Sequence, residues 1–138
     1  MRILLTRAVT FRATHRMANP EWSDEENRRR FGPAADPPGH SHDYSCEVTV
    51  AGPVDERLAM VMDLSRLDAI LNDEVIARFA GKQIERDLPA LRGVLPTCEA
   101  LARDVFRRVA ARLPTGVTLT RVRVAEDPTF YAECFGDA

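Results

Sequence analysis

Apolar and polar residues alternate from the start of the chain, with Ile3, Leu5, Val9, Phe11 and Ala13 on one side of an extended segment, which predicts a first strand over residues 2–15. The alternation stops at Met17. From there to Pro38 the chain carries Asn19-Pro20, the acids Glu21, Asp24, Glu25 and Glu26, the run Arg28-Arg29-Arg30, then Phe31-Gly32-Pro33 and Asp36-Pro37-Pro38, and it reads as a long, charged, functional loop. Period two resumes from about His42 to Ala51, where Tyr44, Cys46, Val48 and Val50 share a side, and ends at the turn Gly52-Pro53. Asp63 then stands as the N-cap of a helix whose apolar stripe is Leu64, Leu67, Ile70, Leu71, Val75 and Phe79, stopping near Ala80-Gly81. Residues 81–95 are polar and irregular. Thr97 caps a second helix with Leu101, Val105, Val109 and Leu113 buried, ended by Pro114 and Gly116. Alternation returns from Val117 to Glu126, with Thr118, Thr120, Val122, Val124 and Glu126 on one face and Leu119 on the other. Asp127-Pro128 turns the chain into a short last strand over residues 130–135. Strands in pairs with two helices between them predict an α+β domain, an antiparallel sheet with both helices on one face.

A length of 138 residues fits a single domain over residues 1–138. The net charge of −2 lacks the basic excess that nucleic-acid binding needs, and no apolar run is long enough to span a membrane. Cys46, Cys98 and Cys134 are odd in number and widely spaced, which argues against a disulfide framework and for a reducing, cytoplasmic location. Cys46 has the parity of a core residue.

The chemistry is carried by the histidines, of which there are 3. In a strand, residues two apart share a face about 6.6 Å along the chain, so His40 and His42 in Gly39-His40-Ser41-His42 can aim at one point. His15 closes the first strand on the face of Phe11 and Ala13. Neutral imidazoles suit zinc, copper, nickel or iron, and three protein ligands with an open position is how catalytic zinc is usually held. The pattern predicts a metal centre that binds something further.

Phe11-Arg12-Ala13-Thr14-His15-Arg16, Phe31-Gly32 leading to Gly39-His40-Ser41-His42-Asp43-Tyr44, Met60-Val61-Met62-Asp63-Leu64, Pro96-Thr97-Cys98-Glu99-Ala100 and Val122-Arg123-Val124-Ala125-Glu126 with Tyr131 resemble, in order and spacing, the family of 6-pyruvoyltetrahydropterin and 6-carboxytetrahydropterin synthases. The resemblance covers nearly the whole chain. It implies a tunnelling fold, a ββααββ unit whose trimer closes a β-barrel and whose trimers stack into a hexamer. It implies zinc (Zn2+) on His15, His40 and His42, and a pterin ring anchored by Glu126 with help from Thr97 and Cys98. A carboxylate suits that task because it accepts paired hydrogen bonds from the ring N–H and amino groups. The implied activity is that of a lyase on 7,8-dihydroneopterin triphosphate or a related dihydropterin with a hydroxylated side chain.

The chain departs from the family at the groups that move protons. Ala34 in Phe31-Gly32-Pro33-Ala34 stands at the family's cysteine, and Ala80-Gly81 stands at its Asp-His pair. Asp36 is the nearest carboxylate to the missing cysteine and is the expected catalytic base. Two other readings stay open: a noncatalytic pterin- or purine-binding homologue, and a repurposed enzyme with a carboxylate base.

Overall fold

The computed structural model describes residues 1–137. Four strands form one antiparallel sheet in the order β1-β2-β3-β4: β1 Leu4–His15, β2 His40–Ala51, β3 Thr118–Asp127 and β4 Phe130–Cys134. The helices pack on one face. Helix α2 (Leu64–Leu71) runs through a π-helical turn, Asn72–Ile76, into α3 (Ala77–Phe79), and α5 spans Cys98–Ala110. The α+β architecture is the predicted one, and among the described residues no helix is long and apolar enough to cross a membrane.

The core lies between sheet and helices. Tyr44, Cys46, Val48 and Val50 from β2 meet Leu67, Ile70, Leu71, Val75 and Phe79 from the first helical run and Leu101, Val105 and Val109 from α5. The expected caps are made: Asp63 Oδ1 accepts the Ser65 N–H at 3.1 Å, and Thr97 Oγ1 accepts the Ala100 N–H at 3.1 Å. Leu64, assigned to the buried stripe, is 39% exposed because it sits in the first turn, outside the contact with the sheet. The opposite face of the sheet is charged, with Arg121 bridging Glu47 and Glu133 and Arg123 lying 3.6 Å over the Tyr131 ring.

Three expectations are corrected. Strand β2 begins at His40, so both histidines of the pair lie inside it. The segment taken as loop holds a helix, α1 (Asp24–Phe31), and a following 3-10 turn, Gly32–Ala35. Ser23 caps α1 by accepting the Glu26 N–H; its acids fill the first turn and its arginines the last, the arrangement the helix dipole favours, and Gly32 ends it at φ 63°. Finally, Leu119 faces the core together with Val122 and Val124, since a register shift between Thr49 and Val50 places an extra β3 residue there and inverts the parity of the strand.

The segment between β1 and β2 is pinned to the rest. Met17 N–H donates to Ala34 O at 2.9 Å, Arg16 Nε to Ala35 O at 2.7 Å, and the buried Asn27 joins Asn19 through hydrogen bonds of 2.8 and 3.0 Å. Residues 81–95 are also more ordered than their composition suggests, with α4 at Ile84–Asp87 and a 3-10 turn at Pro89–Leu91. They dock on β1 through Gly81 N to Arg12 O, 2.8 Å, and Thr14 N to Lys82 O, 2.9 Å.

Candidate metal centre

The register of β1 and β2 sets His15 opposite His40 and Ala13 opposite His42, so all three imidazoles emerge on the helix-facing side at one end of the sheet. Gly39 makes this approach possible: at φ +116°, a Cβ there would meet the His15 carbonyl oxygen at 2.5 Å. His15 Nε2 is 2.9 Å from His40 Nε2 and 3.2 Å from His42 Nε2.

The neighbours of His15 decide its tautomer. Nδ1 lies 2.9 Å from Pro96 O, and a carbonyl can only accept, so Nδ1 carries the proton and Nε2 keeps its lone pair. The Tyr44 hydroxyl is 3.2 Å from the same Nδ1. Tyr44 is buried and stacked on Phe11 at 5.1 Å, and burial, with Glu126 nearby, raises its pKa so that it remains a neutral phenol. Burial and then the adjacent His15 hold His40 below the ordinary imidazole pKa, which favours the neutral, ligating form.

These residues fit a metal ion. The ligand nitrogens of His15, His40 and His42 all lie within 4.8 Å of one another, and three imidazoles converging on one point have too few protons to satisfy each other. Tetrahedral zinc with Zn–N bonds of about 2.05 Å would set its nitrogens about 3.3 Å apart, close to the spacing seen. His15 is 3% exposed while His42 keeps 23% of its side-chain surface, so the cluster is closed behind and open in front.

Glu126 stands at the open side. Its Oε2 is 3.6 Å from His42 Nε2 and 3.9 Å from His15 Nε2. A register shift between Ala125 and Asp127 leaves Glu126 without a strand partner, a bulge of the kind that re-aims a side chain. Cys98, the first residue of α5, is buried, and burial together with Glu126 pushes its thiol up to about 11. Thr97 spends its hydroxyl on the helix cap. The metal ligands, Glu126 and the start of α5 therefore gather at one end of the molecule.

Asp36 is placed differently. Its carboxylate takes two hydrogen bonds from Arg28, at 2.7 and 3.1 Å, and borders a cleft with Arg16, Asp24, Glu25, Arg28, Ala35 and Pro37 in which no histidine takes part. Sequence reasoning also passed over Glu85. Its Oε1 accepts the main-chain N–H of Arg16, next to His15, a contact between distant segments that no local pattern announces.

The 6-pyruvoyl tetrahydropterin synthase family model matches residues 4–137. The chain is 34% identical over 122 residues to the 6-pyruvoyl tetrahydrobiopterin synthase of Homo sapiens, covering 88% of this chain and 83% of that one. To the Drosophila melanogaster protein of the same name it is 33% identical over 124 residues, covering 90% and 74%. The structure of Caenorhabditis elegans 6-pyruvoyl tetrahydropterin synthase superposes with a TM-score of 0.91 at 25% identity, covering 99% of this chain and 97% of that one.

Proposed function

The chain belongs to the 6-pyruvoyl tetrahydropterin synthase family, and on that premise we propose that it is a zinc-dependent lyase acting on 7,8-dihydroneopterin triphosphate or a related dihydropterin with a hydroxylated side chain. The observation that carries the reading is the convergence of three imidazole nitrogens, with Glu126 beside them, at the one end of the sheet that is closed behind and open in front.

His15, His40 and His42 would hold the zinc, which when bound supplies a Lewis acid that polarises side-chain oxygens and acidifies neighbouring C–H groups. Pro96 and Tyr44 fix the His15 ring. Glu126 accepts the ring N–H and amino hydrogens of the pterin, and the first turn of α5 at Thr97 and Cys98 frames the ring edge. Asp36, the carboxylate expected as base, would act from the segment between β1 and β2, where it is paired with Arg28.

We further propose a homo-oligomer closed through the sheet edges. β1 and β4 are the outer strands, and Leu4 at 51%, Phe130 at 54% and Phe135 at 66% exposure leave apolar surface at or next to both. Pairing β1 of one copy with β4 of another would satisfy both edges.

The test is turnover. Zinc-loaded protein incubated with 7,8-dihydroneopterin triphosphate or 7,8-dihydroneopterin is expected to yield a side-chain-modified pterin by mass spectrometry. Ligand binding with no product from either would replace the enzyme by a noncatalytic pterin-binding homologue.

A further inference from the structure

Three neutral imidazoles would hold a dication without neutralising it, and Glu126, the carboxylate at the open side, is in the reading above given to the ligand. The ion's charge then lacks a permanent partner, a deficit that weighs most where water is excluded. Glu85 has the opposite imbalance.

Glu85 comes from α4, in the segment docked along the end of β1, and its Oε1 accepts the main-chain N–H of Arg16, the residue after His15. Oε1 also lies 3.4 Å from Gln83 Nε2, which donates to Pro38 O at 2.7 Å, just ahead of His40. The carboxylate is thus tied both to the chain leaving β1 and to the chain entering β2. Its other oxygen, Oε2, is buried and has no hydrogen-bond partner. Two cations beside it are engaged elsewhere: Arg16 gives Nε to Ala35 O at 2.7 Å and lies 3.4 Å from Asp24, and Arg86 pairs with Asp87 at 2.8 Å. A buried carboxylate oxygen without a donor is costly, and native structures rarely keep one without a use for it. Its charge also reaches the cluster, since at His40 burial and His15 lower the pKa while Glu126 and then Glu85 act against them.

We propose that Glu85 is a counter-charge of the metal centre, set outside the ligands, and that it strengthens the hold of His15, His40 and His42 on a dication. The inference rests on the reading of the cluster as a zinc site. The interaction acts through space, so neither the metal nor a bound ligand has to touch Oε2. In the metal-free protein the same carboxylate is a liability, which the ion offsets when it binds. Removing the charge should therefore help the metal-free fold and harm metal binding, two effects of opposite sign from one atom.

The bland role for Glu85 is a clamp on Arg16, and glutamine separates the two because it keeps an oxygen for that N–H and removes the charge. An unpartnered amide also costs less than an unpartnered charge. Zinc affinity is measured by competition with a chromophoric chelator, and thermal midpoints are taken with and without zinc. Glu85→Gln should bind zinc about 10-fold or more weaker than wild type, the size of effect usual for groups just outside a metal's ligands. Its metal-free midpoint should be no lower than that of wild type, so the rise produced by zinc shrinks. Glu85→Asp, which keeps the charge, should bind zinc more tightly than Glu85→Gln. A smaller loss of affinity in the glutamine variant overturns the proposal. So does a glutamine variant whose metal-free form is less stable than wild type or does not fold, and so does an aspartate variant that binds zinc no better than the glutamine one. A wild-type protein that binds no zinc removes the metal reading and this inference together, a result distinct from a zinc-binding wild type matched by its glutamine variant.

Discussion

His15 and His40 are Cα partners across β1 and β2, and their Nε2 atoms come within 2.9 Å. Two strands thus bring ligands from 25 residues apart onto one point, and the cross-strand register, more than any loop, sets the geometry of the centre. A site built on paired strands tolerates little change in the backbone that feeds it.

Gly39 is where that backbone is tightest. Gly39→Ala would press a methyl group into the His15 carbonyl at a residue held at φ +116°. A loss of at least about 2 kcal/mol in chemical denaturation is expected, accompanied by weakened metal binding.

Tyr44 shares the Nδ1–H of His15 with Pro96 O. Tyr44→Phe keeps the ring stacked on Phe11 and removes only the hydroxyl. Zinc affinity, measured by competition with a chromophoric chelator, should fall about 10-fold while the fold is retained, the usual size of an effect one shell out from the metal.

Glu126 is assigned to the ligand and not to the metal. Glu126→Gln should leave zinc content unchanged and weaken dihydropterin binding by about 2 kcal/mol, roughly 30-fold, in fluorescence titration, because one charge-assisted acceptor is lost. Loss of zinc in this variant would instead make Glu126 a ligand.

The metal-free protein should be acid-sensitive in a defined direction. Burial holds the pKa of His40 below that of an ordinary imidazole, so as pH falls through the usual histidine range the unfolded chain takes up a proton before the folded one does. Stability then rises with pH across this window and is lost on acidification. Urea midpoints of the apo protein should decrease from pH 7.5 to pH 5.5, and bound zinc should blunt the early part of the loss by competing with the proton.

Much of this was legible along the chain. Period-two alternation located the strands, the spacing from Leu67 to Phe79 located the first helical run, and Thr97 marked the start of α5. The histidines were readable because a strand puts residues two apart on one face. Helix α1 went unread although Ser23, the acidic first turn and the basic last turn all encode it, since it has almost no apolar stripe to show against a core. Leu119 went to the wrong face because a bulge inverts parity, and a bulge is a property of two strands together. The same holds for Glu85, whose partner Arg16 is 69 residues away, and for Asp36, whose pairing with Arg28 depends on a helix not foreseen.

The most direct measurement of the central claim is the zinc-to-chain ratio by elemental analysis, taken on wild type and on His40→Ala purified alike. One zinc per chain in wild type and close to none in the variant, with the helical circular-dichroism spectrum unchanged, is the predicted result. A wild-type protein that holds no metal after exposure to zinc, or a His40→Ala variant with the wild-type ratio, would contradict it.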